Sequence, residues 1–366
     1  MAAISVPSRS LPDFPWDRLV PYADEARAHP GGIVDLSVGT PVDPTPEVVQ
    51  QALCAASDAP GYPLTAGTPQ LREALVSWSV RRLGAPQQIG VLPTVGSKEL
   101  VALLPSLLGI GSGETIALPA LAYPTYAVGA LLAGATPVTY ASLVELGPAR
   151  IRLLWVNSPA NPTGQVLPVE HMAKIVEWAR ERDTIVVSDE CYFELGWDAE
   201  PVSILDPRVC GGNPRGLLAV HSLSKRSNLA GYRAAWIAGD PVLVAALLEV
   251  RKHAGLIVPD PVQAAMIAAL GDDAHVAEQR GRYARRREVL RPALEAAGLR
   301  IEHSAGGLYL WATRDEDCWS TVEWLASHGI LAAPGEFYGP AGQQFVRVAL
   351  TASDERIAQV GARLSS

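Results

Sequence analysis

The chain has 366 residues, enough to bury a large core and to form two domains or one large α/β unit. Hydrophobic residues make up 48% and charged residues 19%, with a formal net charge of −8, which argues against a disordered chain and against a basic nucleic-acid-binding surface. The expected partner is a small molecule, with no nucleic acid and no membrane. The opening "MAAISVPSRS" lacks a basic segment followed by an apolar one. The longest apolar stretch, "LVALLPSLLGIG", is interrupted by Pro105 and is too short for a bilayer. Cys54, Cys191, Cys210 and Cys318 lie far apart without metal-site spacing, so they read as reduced thiols of a cytoplasmic protein, and no metal is expected.

Residues 1–45, rich in proline and turn formers, read as an N-terminal arm and loop and as part of the small domain. From 46 to 270 helical and strand patterns alternate. "PQLREALVSWSVRRLG" puts Leu71, Leu75 and Trp78 at helical spacing, and "IGVLPTV" reads as a strand. Then come the helix "SKELVALLPSLL", the strand "TIALPA", the helix "TYAVGALLAGA", the strand "IRLLWVN" and the helix "VEHMAKIVEWARER". "TIVVSDE" and "GLLAVHS" are short buried strands. Nearly continuous apolar strands alternating with helices predict an α/β fold with a mainly parallel sheet covered on both faces. From 271 to 366 the character changes. "DAHVAEQRGRYARRREVLRPALEAAG" predicts one long helix with an exposed basic stretch. The strands "LRIEHS", "GGLYLWA", "GILAAP" and "QFVRVAL", with one helix among them, predict a smaller α+β domain.

In open parallel sheets, ligands collect at the carboxyl ends of strands. Four predicted strands end in polar groups: Gly96-Ser97-Lys98; "NSPANPTG"; Asp189 followed by Tyr192; and Ser222, Ser224 and Lys225. Each alone has a plain structural reading, as a helix cap, a turn, a surface acid or a solvated lysine. Arg233 and Arg347, taken singly, read as surface ion-pair residues. Convergence of the four ends suggests a site.

The order of these residues carries a resemblance. N-P-x-G at 161–164, S-D-E-x-Y at 188–192, S-x-S-K ending at Lys225 with Arg233 eight residues on, and "FVRVAL" near the end resemble class I aminotransferases, pyridoxal-phosphate enzymes of fold type I. It extends through "LSVGTPVDPTP", "YPLTAGTPQLREA", "PALAYPTY", "GGLYLWA" and "APGEFYGPAG", nearly the whole chain. The resemblance implies a large domain with a mainly parallel sheet of the seven-stranded type. It implies that Lys225 is the Schiff-base lysine and later the proton shuttle. Lysine suits that task because a desolvated ammonium can lose its proton and attack an aldehyde, whereas arginine stays charged; the chain holds only four lysines, at 98, 174, 225 and 252.

By the same resemblance Asp189 pairs with the cofactor's ring nitrogen, Tyr192 and Asn161 hydrogen-bond its phenolate oxygen, and Tyr123 stacks on the ring. Gly96, Ser97, Lys98, Ser222 and Arg233 hold its phosphate. Tyr62 reaches the phosphate of a neighbouring subunit, which implies a homodimer with shared active sites. Arg347, with Gly39 and Asn161, clamps the α-carboxylate of amino-acid and keto-acid substrates. Dicarboxylate-specific members carry an arginine for the distal carboxylate. "VRKHAGLIVPDP" offers Arg251, Lys252 and His253, which read instead as solvated helix residues. "SLPDFPWDRL" and "GSKE" are similar to actinobacterial N-succinyldiaminopimelate aminotransferases. That implies transfer between glutamate/2-oxoglutarate and N-succinyl-LL-2,6-diaminopimelate/N-succinyl-2-amino-6-oxopimelate in lysine biosynthesis. Alternatives on this scaffold are a C–S β-lyase, an aspartate or aromatic aminotransferase, or the sensing domain of an aminotransferase-like transcription regulator.

Overall fold

The computed structural model describes residues 11–365; the opening decapeptide on which the reading of no secretory leader rests lies outside the described residues. The predicted arm carries regular structure. Helix Val20–Ala28 and strand β1 (Val34–Asp35) follow its proline-rich start, and Leu19, Ala23, Val34 and Leu36 are buried.

The central sheet has seven strands: β2 (Gly90–Val95), β3 (Thr115–Pro119), β4 (Thr136–Tyr140), β5 (Ile151–Asn157), β6 (Ile185–Asp189), β7 (Leu217–Ser222) and β8 (Ala234–Gly239), in the order β2-β8-β7-β6-β5-β3-β4. All run parallel except β8, which is antiparallel to both neighbours. Strands β4 and β8 have no counterpart in the sequence prediction. β4 lies at the sheet edge and begins "TP", and β8 reads "AAWIAG", whose alanines and glycine have weak strand propensity. β8 nonetheless holds the sheet interior, where its own Trp236 meets Trp78 edge-to-face at 5.0 Å. One face packs helix Pro69–Leu83 through Leu71, Leu75 and Trp78, the helical stripe predicted from spacing. The other packs Leu100, Leu104, Tyr126 and Trp155. At about 25 cal/mol per Å² of apolar surface, these two layers supply the main stabilisation of the sheet.

A third apolar cluster joins Leu19 and Leu36 to the C-terminal third of the chain. There an antiparallel sheet runs β12 (Ala333–Pro334), β13 (Val346–Ala349), β10 (Tyr309–Thr313), β9 (Arg300–Glu302), while β1 pairs in parallel with β11 (Ile330–Leu331). The long helix is Ala274–Ala296, but its basic stretch is not freely exposed. Arg286 is buried between Asp43 and Asp354 at 2.5 and 2.6 Å, Arg282 bonds Glu278 at 2.6 Å, and Arg287 pairs with Asp198. Sequence spacing could not reveal this, because Asp43, Asp198 and Asp354 arrive from distant segments.

Candidate active site

Strands β2, β5, β6 and β7 point the same way, so their carboxyl ends open on one cleft of about 510 Å³. It brings together Gly39, Ser97, Lys98, Tyr123, Asn161, Asp189, Tyr192, Ser222, Lys225, Arg233 and Arg347, all predicted from sequence. Gly96 sits immediately behind the wall, against Arg233. Tyr62 does not join them: it is fully exposed on its own chain, away from this cleft.

Lys225 lies in a single helical turn, Leu223–Arg226, that follows β7 directly; Ser222 caps the turn by accepting from Ser224 N–H at 3.1 Å. The Lys225 ammonium donates to the Gly39 carbonyl oxygen and has no carboxylate partner among the described residues. Burial pulls its pKa below the ordinary lysine value, and the cations Arg347 and Arg233 push the same way against Tyr309 and Cys191. A neutral amine is therefore more accessible here than on an ordinary surface lysine.

Asp189 ends β6 with 7% exposure, which rules out the surface-acid reading. Tyr126 donates its hydroxyl to Oδ2 at 2.8 Å and Cys191 its backbone N–H to Oδ1 at 3.1 Å. Burial raises the carboxyl pKa, and these hydrogen bonds oppose the rise. No lysine or arginine pairs with it among the described residues. The site is thus suited to a cationic N–H donor from a bound group.

After β2, Gly96 takes φ +76° as the N-cap of helix Ser97–Leu107, where backbone N–H groups have no intrahelical acceptor. A Cβ at Gly96 would run into the Arg233 guanidinium, so only glycine lets that cation close on the helix N-terminus. Arg233 itself adopts φ +55° and donates to the Ala230 carbonyl at 2.9 Å. The Ser222 and Ser224 hydroxyls lie 2.9 Å apart on the same wall. Helix N-terminus, guanidinium and hydroxyls together make an anion cradle. The Lys98 ammonium turns elsewhere, 5.5 Å from the Phe14 ring centroid.

Arg347 is 3% exposed, so the surface ion-pair reading fails. Nη1 donates to Asn161 Oδ1 at 2.9 Å and Nη2 to the Ser37 carbonyl at 2.6 Å, while Nε has no partner. The guanidinium lies 3.9 Å from the Tyr309 ring centroid and 4.9 Å from that of Tyr338. Neutral acceptors leave its charge uncompensated, which suits a carboxylate from outside. Asn161 is placed by Asn157, whose Oδ1 accepts the Asn161 N–H at 2.7 Å, in a loop with cis Ser158–Pro159 and Asn161–Pro162 bonds.

The reading of Arg251 as a solvated helix residue is corrected. It is fully buried and forks onto Glu99 at 3.0 and 3.2 Å, an acid two residues beyond Ser97. Lys252 is exposed and paired with Glu249 at 2.6 Å, and none of the "VRKHAGLIVPDP" cations lines the cleft. The sequence reading missed Tyr126, Cys191 and Tyr309 as site residues, along with Phe14 and Trp16 at the mouth. Tyr126 and Tyr309 lie inside motifs already quoted, "PALAYPTY" and "GGLYLWA", so their aromatic character beside assigned positions was the available signal.

A family profile described as "Aminotransferase class I and II" matches residues 32–364. The chain is a class I/II aminotransferase. It is 61% identical to the 4-dedimethylamino-4-oxo-anhydrotetracycline transaminase OxyQ of Streptomyces rimosus, over 98% of this chain and 100% of that protein. It is 32% identical to the LL-diaminopimelate aminotransferase of Gloeobacter violaceus, over 96% of each. An aminotransferase structure from Neisseria meningitidis superposes with a TM-score of 0.89 at 30% identity, covering 98% of both chains. This aminotransferase has the fold type I architecture and depends on pyridoxal phosphate. The residues present fit that group. An anion cradle, an acceptor for a ring N–H and an amine with a lowered pKa stand around one cleft, with Tyr123 on its wall. Among the described residues no helix is long and apolar enough to cross a membrane.

Proposed function

We propose that this aminotransferase moves the amino group of glutamate onto the 6-oxo carbon of N-succinyl-2-amino-6-oxopimelate, releasing 2-oxoglutarate, in the cytoplasmic route to diaminopimelate and lysine. The observation that carries the substrate class is Lys98. Its ammonium lines the cleft beside Phe14 and has no carboxylate partner among the described residues, whereas Arg347 waits deep in the same cleft. With Lys225 and Arg233 assigned to the cofactor, the remaining two cations, Lys98 and Arg347, suit a substrate with one carboxylate next to the reacting carbon and another at its far end. The relatedness to LL-diaminopimelate aminotransferases supports the same class.

Pyridoxal phosphate supplies an aldehyde that takes up the amino group and a ring that draws electrons from the carbon bearing it. The chain's residues supply the rest. Arg347 grips the α-carboxylate bidentately and fixes the reacting carbon, with Asn161 and the Gly39 backbone beside it. Lys225 Nζ takes the proton from the substrate Cα and later returns one, which requires the neutral amine that burial favours. Asp189 keeps the ring nitrogen protonated, since a buried carboxylate without another cation favours that proton. Tyr192 and the amide nitrogen of Asn161 donate to the phenolate oxygen. Gly96, Ser97, Lys98, Ser222 and Arg233 hold the phosphate, with Lys98 contributing its backbone N–H. Tyr62 and Leu64, 100% and 57% exposed, support a homodimer in which Tyr62 serves the neighbouring subunit's phosphate.

A second reading rests on the 61% identity to a transaminase whose name specifies a polycyclic ketone, and on the aromatic wall of Phe14, Trp16 and Tyr123. It takes a bulky cyclic ketone as acceptor. An acceptor screen with glutamate as donor decides between them. Turnover of the succinylated keto acid far above that of cyclic ketones supports the first reading, and the reverse order overturns it.

A further inference from the structure

One cleft side chain touches both ends of the proposed machinery without having been given a role: Tyr309. It opens β10 opposite Ala349 of β13, diagonal to Arg347, which pairs with Trp311. Cross-strand partners share a face, so the register itself sets the Tyr309 ring against the guanidinium, 3.9 Å from centroid to Cζ. The Tyr309 hydroxyl lies 3.0 Å from the Tyr192 hydroxyl, with the two rings edge-to-face. On the third side a Cβ at Gly39 would run into the same hydroxyl, and the Gly39 carbonyl accepts from Lys225. Tyr309 is only 4% exposed, so these contacts fix it.

We infer that Tyr309 is a positioning residue with two separable parts: its ring holds Arg347 ready for the α-carboxylate, and its hydroxyl strengthens Tyr192 as a hydrogen-bond donor. The ring's part follows from charge. Arg347 is a buried cation with no carboxylate in contact among the described residues, and an aromatic face offsets some of that cost while fixing the guanidinium plane. The hydroxyl's part follows from hydrogen-bond inventory. Each phenol has one proton to give and lone pairs to accept with. With Tyr309 donating to the Tyr192 oxygen, the Tyr192 proton is free for a third group, and a hydroxyl that accepts one bond donates the next more strongly. Stronger donation to the cofactor's phenolate oxygen withdraws negative charge there, so a neighbouring proton is held less tightly.

The inference rests on Arg347 as the clamp and Tyr192 as a cofactor contact. Holoenzymes carrying Tyr309→Phe and Tyr309→Leu test it through two readouts: the dissociation constant of maleate, an unreactive dicarboxylate, and the pH midpoint of the bound cofactor's absorbance. Tyr309→Phe keeps the ring, so maleate affinity stays within about twofold, while the midpoint rises by about half a pH unit or more, the scale of one hydrogen bond. Tyr309→Leu, or the longer Tyr309→Met should Leu fail to fold, repeats that rise and also weakens maleate about tenfold. An unmoved midpoint in Tyr309→Phe, or equal maleate affinity in the Phe and Leu variants, overturns the inference. Arg347→Lys serves as control. Unchanged maleate binding there overturns the clamp assignment and the ring's role with it. Weakened binding there without a difference between the Tyr309 variants overturns Tyr309 alone.

Discussion

Arg347→Lys is the substitution that separates a clamp from a buried structural cation. The guanidinium spends two donors on Asn161 Oδ1 and the Ser37 carbonyl and leaves Nε unpartnered. A lysine ammonium at this depth is a point charge without the planar fork, so it grips a carboxylate through one bond instead of a parallel pair. A hydrogen bond to a charged group is worth about 1.5–3 kcal/mol, so losing one lowers kcat/KM by about tenfold to a hundredfold. The loss falls on glutamate, 2-oxoglutarate and the keto-acid acceptor alike, because all share the α-carboxylate. The fold also loses the contacts to Asn161, Ser37 and two rings, which costs on the order of 1–3 kcal/mol and shows as a lower melting temperature with cofactor still bound. Steady-state kinetics with each substrate, beside thermal melting, checks both. Retention of kcat/KM within about twofold for every substrate refutes the clamp, and a loss confined to one substrate makes Arg347 a side-chain selector.

Lys225→Met is expected to abolish turnover while the phosphate cradle still retains cofactor, seen as absorbance that co-purifies but is removable by dialysis. The same variant reports on pH. Burial lowers the folded-state pKa of Lys225 below 10.5, so the unfolded chain binds the extra proton, and the stability cost of this lysine is largest below the lowered value and fades as pH rises toward 10.5. The melting advantage of cofactor-free Lys225→Met over wild type therefore shrinks between pH 7 and pH 10; a constant gap contradicts the shift. Gly39→Ala drives a methyl into the Tyr309 hydroxyl and is expected to cut kcat/KM by about tenfold or more, because sub-ångström misplacement of positioned groups is costly; wild-type kinetics would show that the wall yields freely. Lys98→Met is expected to raise KM for the succinylated acceptor by about tenfold with little change for glutamate. Equal effects on both substrates, or loss of cofactor affinity instead, assign the Lys98 ammonium to the phosphate.

What the sequence made legible was local. Strand ends and the turns after them are short-range features, so Gly96, Asp189, Ser222 and Lys225 could be placed from pattern, and the family resemblance gave them roles. Residues whose environment depends on distant segments were misread. Arg251 and Arg286 looked solvated on their helices, yet each is buried by an acid from far away, Glu99 for one and Asp43 with Asp354 for the other. Arg347, by contrast, taken singly reads as a strand-face ion-pair residue, and it was the family resemblance, not periodicity, that assigned it to the cleft where it lies. β8 escaped notice because its alanines fit a sheet interior for reasons of packing that no propensity records.

Most buried charges of this molecule are held by an opposite charge, and Asp240, which caps a helix, by backbone N–H groups. Arg226 pairs with Glu194 at 2.7 Å, Arg251 with Glu99 at 3.0 Å and Arg286 with Asp43 at 2.5 Å. A buried charge stripped of its partner costs several kcal/mol, so pairing is the arrangement expected of charges that only hold a fold. Asp189 and Arg347, both buried, and the part-buried Lys225 meet in one cleft: each has hydrogen bonds to neutral groups, and none has an opposite charge in an ion pair among the described residues. On the proposed assignment a ring N–H would answer Asp189, the cofactor's aldehyde would meet Lys225, and an α-carboxylate would answer Arg347. On that assignment the unpaired charges of the cleft favour bound groups of complementary charge.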